Sequence, residues 1–262
     1  MLMVISLGLW LGLFALGLSL GSFFNVVVYR LAKGGSPLKG RSFCPKCKKK
    51  ISWFDNIPLL SFVLLNGNCR HCGKPISWQY PLVELATALL TVGLYFWLIY
   101  NLQLTIYNFV FYLVVSYCLL IIFVSDFRFM IIPDEVLIFL SVISLLFFGL
   151  YSPAVLPFRF LAGFSSGLFF YLLYELTKGK GMGFGDVKLA FLIGFLLGFP
   201  FLLWAFFLAF LTGACVGVIL ILSGRKRAKS KIAFGPFLSF NTWVVFLWQG
   251  VINSLFLSVL WP

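Results

Sequence analysis

Only seven of the 262 residues are Asp or Glu, so each carboxylate can be weighed for the chemistry it could do. Asp126 stands in Ser125-Asp126-Phe127-Arg128 at the end of an apolar run. Asp134 follows Ile132-Pro133 and precedes Glu135. Asp186 closes the tract Gly179-Lys180-Gly181-Met182-Gly183-Phe184-Gly185-Asp186. Two carboxylates that face each other can share one proton, one acting as general base on water and the other as general acid. Like charges at that range titrate as a unit. Each aspartate also has a plainer reading. Asp126 could pair with Arg128 or Lys188, and Asp186 could cap the helix that follows it. Capping is the preferred reading of Asp134, with Glu135 in the first turn.

Other hydrolytic chemistries are poorly supplied. The single histidine, His71, lies beside cysteines and not within an HExxH pattern, which a zinc protease helix would need. A Ser-His pair has no base inside the apolar runs. A Ser-Lys pair with Lys188 stays open, although no serine sits in a nucleophile motif. Alternating glycines permit positive φ and close backbone approach. No strand precedes the tract, so a dinucleotide fingerprint fails its context.

Four of the six cysteines form Cys44-Pro45-Lys46-Cys47 and Cys69-Arg70-His71-Cys72, with 21 residues between the pairs. Two such knuckles complete a tetrahedral Zn²⁺ site with no open position, hence a structural one. Disulfides or free thiols are the alternatives. Gly67, Gly73 and Pro45 supply turns, and Trp53, Phe54, Ile57 and Trp78 are expected to pack on the metal knuckles as a miniature core. His71 reads as an exposed knuckle residue. Cys118 and Cys215, in apolar runs, read as buried small residues.

The elements that must position these groups are membrane helices. The chain is 62% hydrophobic and 10% charged, against about 45–50% and about 25% for a soluble domain. Apolar segments near 3–29, 81–100, 104–125, 135–151, 156–177, 187–199, 201–223 and 237–260 predict an all-α polytopic protein of about eight spans. Residues 30–79 form its one sizeable polar insert. Val187–Phe199 is short for a span and is expected to turn at Gly198-Phe199-Pro200 into the next helix.

Charge gives the orientation. Nineteen of the 20 Lys and Arg residues fall in 30–79, 125–134, 178–188 and 224–234, leaving Arg159 alone on the opposite side. By the positive-inside rule those loops are cytoplasmic, with both termini outside. The net charge of +13 is therefore topological; it points to anionic lipid headgroups and not to nucleic acid. A cytoplasmic insert disfavours disulfides. The first run has no basic residue before it and no cleavage site after it, so it reads as an anchor and not a signal peptide. Two crossings separate Asp126 from Asp186, which returns both to the same side at similar depth. The expected organisation is a first helix over 1–29, a four-cysteine module over 30–79 and a membrane-embedded core over 80–262.

Three blocks resemble the bacterial type IV prepilin peptidases, a family of integral-membrane aspartic proteases of the GxGD type. Gly21-Ser22-Phe23-Phe24-Asn25-Val26-Val27-Val28-Tyr29-Arg30-Leu31 is similar to the family's GSFLNVVIYR segment, with the CxxC knuckles behind it. Asp126 through Ile132-Pro133-Asp134 is similar to its D…(I/L)PD block, and Gly183-Phe184-Gly185-Asp186-Val187-Lys188-Leu189 to its GxGDxKL block. With Tyr80-Pro81-Leu82-Val83-Glu84-Leu85, the likeness runs over most of the chain. Phe24 stands where the family often has Leu, and Phe127-Arg128 varies.

The resemblance implies that Asp126 and Asp186 are a catalytic pair and that Asp134 is not catalytic. It implies prepilins or pseudopilins as substrates, with a short basic leader cut after glycine at the cytoplasmic face of a bacterial inner membrane. The mature end usually begins with Phe. Many members also methylate the new N-terminus with S-adenosylmethionine. Glu84 and Asn25 are candidates for lining that cofactor's site, against an ion pair and a helix-to-helix hydrogen bond. Two other classes compete: an ion-coupled transporter or channel with a zinc-ribbon regulatory loop, and a non-catalytic scaffold docking through 30–79.

Overall fold

The computed structural model describes residues 2–101, 105–179, 181–224 and 232–260, and among them the regular structure is helical, joined by turns and loops, with two isolated antiparallel bridges and no strand. Lys180 and the loop cations Arg225, Lys226, Arg227, Lys229 and Lys231, which the charge count uses, lie outside these residues. The helices are α1 Leu2–Leu31, α2 Leu60–Leu64, α3 Gln79–Asn101, α4 Ile106–Phe129, α5 Asp134–Tyr151, α6 Leu156–Leu176, α7 Phe184–Leu197, α8 Phe201–Leu222 and α9 Gly235–Leu260.

The expected spans are all present as helices. Six stretches, within α1, α3, α4, α5, α6 and α8, are long and apolar enough to cross a membrane. The 26 residues of α9 have the length as well. The exception is α7, with 14 residues, about 21 Å at 1.5 Å per residue. Gly198, at φ +70°, ends it where the turn was expected.

The chain divides into two compact units, one running to Tyr117 and the other starting at Cys118. In the first, α1 lies against α3 through Gly17 and Gly21, four residues apart. A Cβ at Gly17 would stand 2.6 Å from Ala88 Cα, and one at Gly21 would stand 2.6 Å from Glu84 Cα. Only glycine lets two backbones approach this closely, the usual device for joining helices in lipid. The first half of α4 joins them: Tyr117 shares a 2.7 Å hydrogen bond with Thr91, and its ring lies 5.1 Å from that of Phe24.

In the second unit α7 is the central element. Ten of its fourteen residues are buried, which is why its sequence is apolar all round instead of amphipathic. It packs antiparallel on α6, where a Cβ at Gly194 would collide with Ala162 O and Ser166 Oγ. Ser166 Oγ donates to Ala190 O at 2.9 Å across the same seam.

Arg159, the lone cation on its expected side, has a structural task here. Its guanidinium donates to Phe195 O and Leu196 O and stacks 3.6 Å from the Phe148 ring. The end of a helix leaves its last carbonyls without partners, and Arg159 supplies donors to two of them. The side chain is held there by the end of α7.

Candidate active site and metal centre

Asp126 lies one turn before the end of α4, and the residue is only 6% exposed. The chain then reverses. Met130 takes φ +54°, its N–H bonding Asp126 O at 2.9 Å, and Ser125 Oγ donates to Ile131 O at 2.8 Å. Asp126 Oδ2 accepts the backbone N–H of Gly235, the first residue of α9, at 2.9 Å. A helix N-terminus aimed at a carboxylate is a favourable arrangement for an anion. The fit leaves no room: a Cβ at Gly235 would lie 2.6 Å from that same Oδ2.

Asp186 is the third residue of α7, also 6% exposed. It is not the N-cap. Gly183 holds that position in extended backbone, and Asp186 Oδ2 reaches back to accept the Gly183 N–H at 3.0 Å. Its other oxygen, Oδ1, is buried without a hydrogen-bond partner among the described residues. The two aspartates stand close enough for their charges to interact. The helices thus bring together the pair that the sequence singles out. A buried, unsatisfied carboxylate oxygen is costly in a purely structural role and is what a proton-sharing or water-holding site needs.

The Ile132-Pro133-Asp134 block sets the approach of α7. A Cβ at Gly185 would meet Ile132 Cβ at 3.2 Å, so this glycine serves contact and not a positive φ. Asp134 does not cap α5 as expected. Pro133 is the N-cap position, and the Asp134 carboxylate instead takes Lys188 Nζ at 2.7 Å. That pairing also removes Lys188 as a partner for Asp126. Gly235 is the residue that sequence reasoning missed. Its available signal was Gly235-Pro236 opening the last apolar segment, since Pro favours the first turn of a helix.

In the first unit the four cysteine thiols Cys44, Cys47, Cys69 and Cys72 gather with every Sγ within 4.8 Å of the others. A tetrahedral zinc with Zn–S of about 2.3 Å needs sulfurs about 3.8 Å apart, so the donor set fits such an ion. The two knuckles are built alike. Lys48 N–H bonds Cys44 O and Gly73 N–H bonds Cys69 O, at 2.8 and 2.9 Å, and the bridges Phe43–Lys50 and Asn68–Pro75 close them. Lys48 and Gly73 occupy matching positions with φ +61° and +64°; glycine takes that conformation without strain and lysine does not. Burial raises the Cys44 thiol, but the N–H groups of Cys47 and Lys46 and the neighbouring thiols outweigh it and hold it at about 7. At Cys72 the Lys74 N–H works downward, while burial and the other thiols push it up to about 11. The cluster shares protons that a cation would displace.

His71 is exposed in its knuckle, as expected, and Cys118 is buried, but Cys215 lies exposed on α8. The expected miniature core does not form. Trp53 and Trp78 are 77% and 70% exposed, and Phe54 and Ile57 also lie outward. Asn25 makes the helix-to-helix bond, donating to Tyr80 O at 3.1 Å. Glu84 makes no ion pair among the described residues; it accepts the Leu59 N–H at 2.8 Å and a bond from Ser22. Arg30 donates to the carbonyls of Pro37, Lys39, Gly40 and Arg41, folding the entry to the module onto the end of α1.

Comparison with known proteins accounts for both units. Residues 15–98 match the Bacterial Peptidase A24 N-terminal domain, and residues 113–218 match the Type IV leader peptidase family. The chain is 34% identical over 249 residues to a prepilin leader peptidase/N-methyltransferase of Bacillus subtilis, covering 94% of this chain and 97% of that protein. It is 32% identical over 272 residues to the Pseudomonas aeruginosa protein of that name, covering 93% and 91%. It is 35% identical over 209 residues to the one from Vibrio cholerae, covering 73% and 79%. No solved structure matches the chain.

Proposed function

The chain belongs to the prepilin leader peptidase/N-methyltransferase family, and from that premise we propose that Asp126 and Asp186 are its peptidase machinery. It is a multi-pass membrane protease of prepilins that also carries methyltransferase activity. The transporter alternative has no support from these relatives.

The proposed step is acid–base hydrolysis. The pair holds one proton between its carboxyl groups. The ionised member takes a proton from water as the oxygen adds to the scissile carbonyl, while the protonated member covers the carbonyl oxygen. Collapse returns a proton to the departing amine, leaving a free leader carboxylate and a new N-terminal amine. Backbone donors from Gly183 and Gly235 fix one oxygen of each aspartate, and the uncommitted Asp186 Oδ1 is the oxygen left for proton or water. The observation that carries this reading is the burial of both carboxylates together with that unpartnered oxygen.

The leader's basic residues meet the acidic pair from the cytoplasmic side, and the substrate's apolar stem stays in the bilayer. The distribution of Lys and Arg, 19 of 20 in the loops of one side, supports a cytoplasmic position for the pair and the cysteine module at a bacterial inner membrane, with both termini outside. The bound metal is zinc in a structural role, held by Cys44, Cys47, Cys69 and Cys72. S-adenosylmethionine is the methyl donor to the new amine. Two substitutions test the assignment: Asp126→Asn and Asp186→Asn should each abolish prepilin cleavage while a pre-cleaved pilin peptide is still methylated. Cleavage at the wild-type rate by either variant would refute it.

A further inference from the structure

The aromatic and aliphatic side chains expected to cover the metal knuckles face outward instead. Leu60, Val63 and Leu64 of α2 are 51%, 68% and 71% exposed as well, and the Phe62 ring of the same helix lies 5.1 Å from that of Trp78. An apolar surface of this kind, rimmed by charge, marks a contact with something.

Its depth follows from one hydrogen bond. Leu59, the residue before α2, donates its N–H to Glu84 Oε2 at 2.8 Å. Glu84 lies five residues past the start of α3, about 7.5 Å along the axis. Thus α2 is held beside the first turns of a membrane-crossing helix and not beyond its end. That helix presents Leu82 and Leu85 outward over the same turns. The chain accepts strain to be there. Leu59 takes φ +57° and ψ −47°, and Leu60 N–H closes on Pro58 O at 2.6 Å. This is a tight γ-turn that non-glycine residues rarely adopt.

Charge completes the picture. Residues 30–79 carry ten Lys and Arg and one carboxylate, Asp55, which is already paired with Arg70 at 2.7 Å. Lys48, Lys49 and Lys50 form an exposed run. A short helix with exposed aliphatic side chains, an exposed tryptophan packed on it, a second exposed tryptophan in the same module and a run of exposed lysines have the composition of a surface that lies on a membrane.

We infer that the cysteine module is an anionic-lipid-binding module. In this arrangement α2, Trp53 and Trp78 seat in the headgroup boundary of the leaflet that α3 enters first, and the lysines engage phospholipid headgroups. The metal knuckles then orient the module on the bilayer. This goes beyond the peptidase assignment and does not depend on it.

The test uses the full chain in lipid nanodiscs, with an environment-sensitive fluorescent amino acid at position 63. In discs containing phosphatidylglycerol the probe should be quenched by acyl-chain-brominated lipid and shielded from aqueous iodide. Quenching should be at least about twofold weaker in discs of phosphatidylcholine alone. The triple substitution Lys48→Gln, Lys49→Gln and Lys50→Gln should erase that lipid dependence at an unchanged unfolding temperature. Free access of iodide in both discs would overturn the inference, as would quenching indifferent to phosphatidylglycerol. Shielding that appears only on adding a prepilin, or only at high protein concentration, would assign the face to substrate or to a second copy and overturn it equally.

Discussion

Gly235 donates its backbone N–H to Asp126 Oδ2 at 2.9 Å across 109 positions of sequence, and it is the absence of a side chain at Gly235 that makes the bond possible. The last long helix therefore begins on a carboxylate of α4. Gly235→Ala should reduce prepilin cleavage by at least about 10²-fold, the scale of a displaced general acid or base. Methylation of a pre-cleaved peptide should persist. Gly93→Ala, where a Cβ would meet nothing within 4 Å, serves as the control and should cleave normally in the same assay.

Arg159 secures the far end of α7. Arg159→Met removes the donor to Phe195 O and Leu196 O, and leaving buried carbonyls short of a partner costs about 1–3 kcal/mol. The unfolding midpoint in mild detergent should fall accordingly. Arg159→Lys should recover part of the loss, since an ammonium can still donate. A midpoint unchanged by Arg159→Met would remove this role.

The Lys188–Asp134 pair is solvent-accessible on both sides, with side chains 41% and 56% exposed. Such pairs are worth about 0–1 kcal/mol. Asp134→Asn should therefore leave stability within about 1 kcal/mol in chemical denaturation, and prepilin turnover within a few-fold. A loss of turnover as deep as that of the Asp126 or Asp186 variants would place Asp134 in the chemistry.

Much of this was legible from residue types and spacing. Carboxylates are so scarce that Asp126 and Asp186 stand out, and the parity of two intervening spans returns them to one side. The paired CxxC knuckles are a local geometry that spacing alone encodes. What stayed hidden depended on contacts between distant segments. Asp134 fits an N-cap by every local rule, yet Lys188, 54 residues on, competes for its carboxylate. Trp53, Phe54, Ile57 and Trp78 look like a small core because composition cannot show which apolar side chains face a protein interior and which face outward. Gly235 carries chemistry through its N–H and through having no Cβ, and neither leaves a mark in a search for reactive side chains.

Metal binding at the cysteine cluster should be pH-dependent. The ion takes thiolates, so protons compete with it. With Cys44 at about 7 and Cys72 at about 11 before metal binds, apparent zinc affinity should rise with pH from 6 to 8 and protons should be released on binding. Titration with a competing chelator at several pH values measures this, and one ion per chain is expected. Cys72→Ser should lower affinity sharply while leaving the α1–α3 glycine contacts intact.

The central claim is that Asp126 and Asp186 act as one unit. The most direct measurement is the single-turnover cleavage rate of a purified prepilin by the wild type, Asp126→Asn, Asp186→Asn and the double variant. A proton-sharing pair predicts that each single substitution costs as much as the double, because half of the unit does no work. Rate losses that simply add, or a single variant that still cleaves at the wild-type rate, would contradict it.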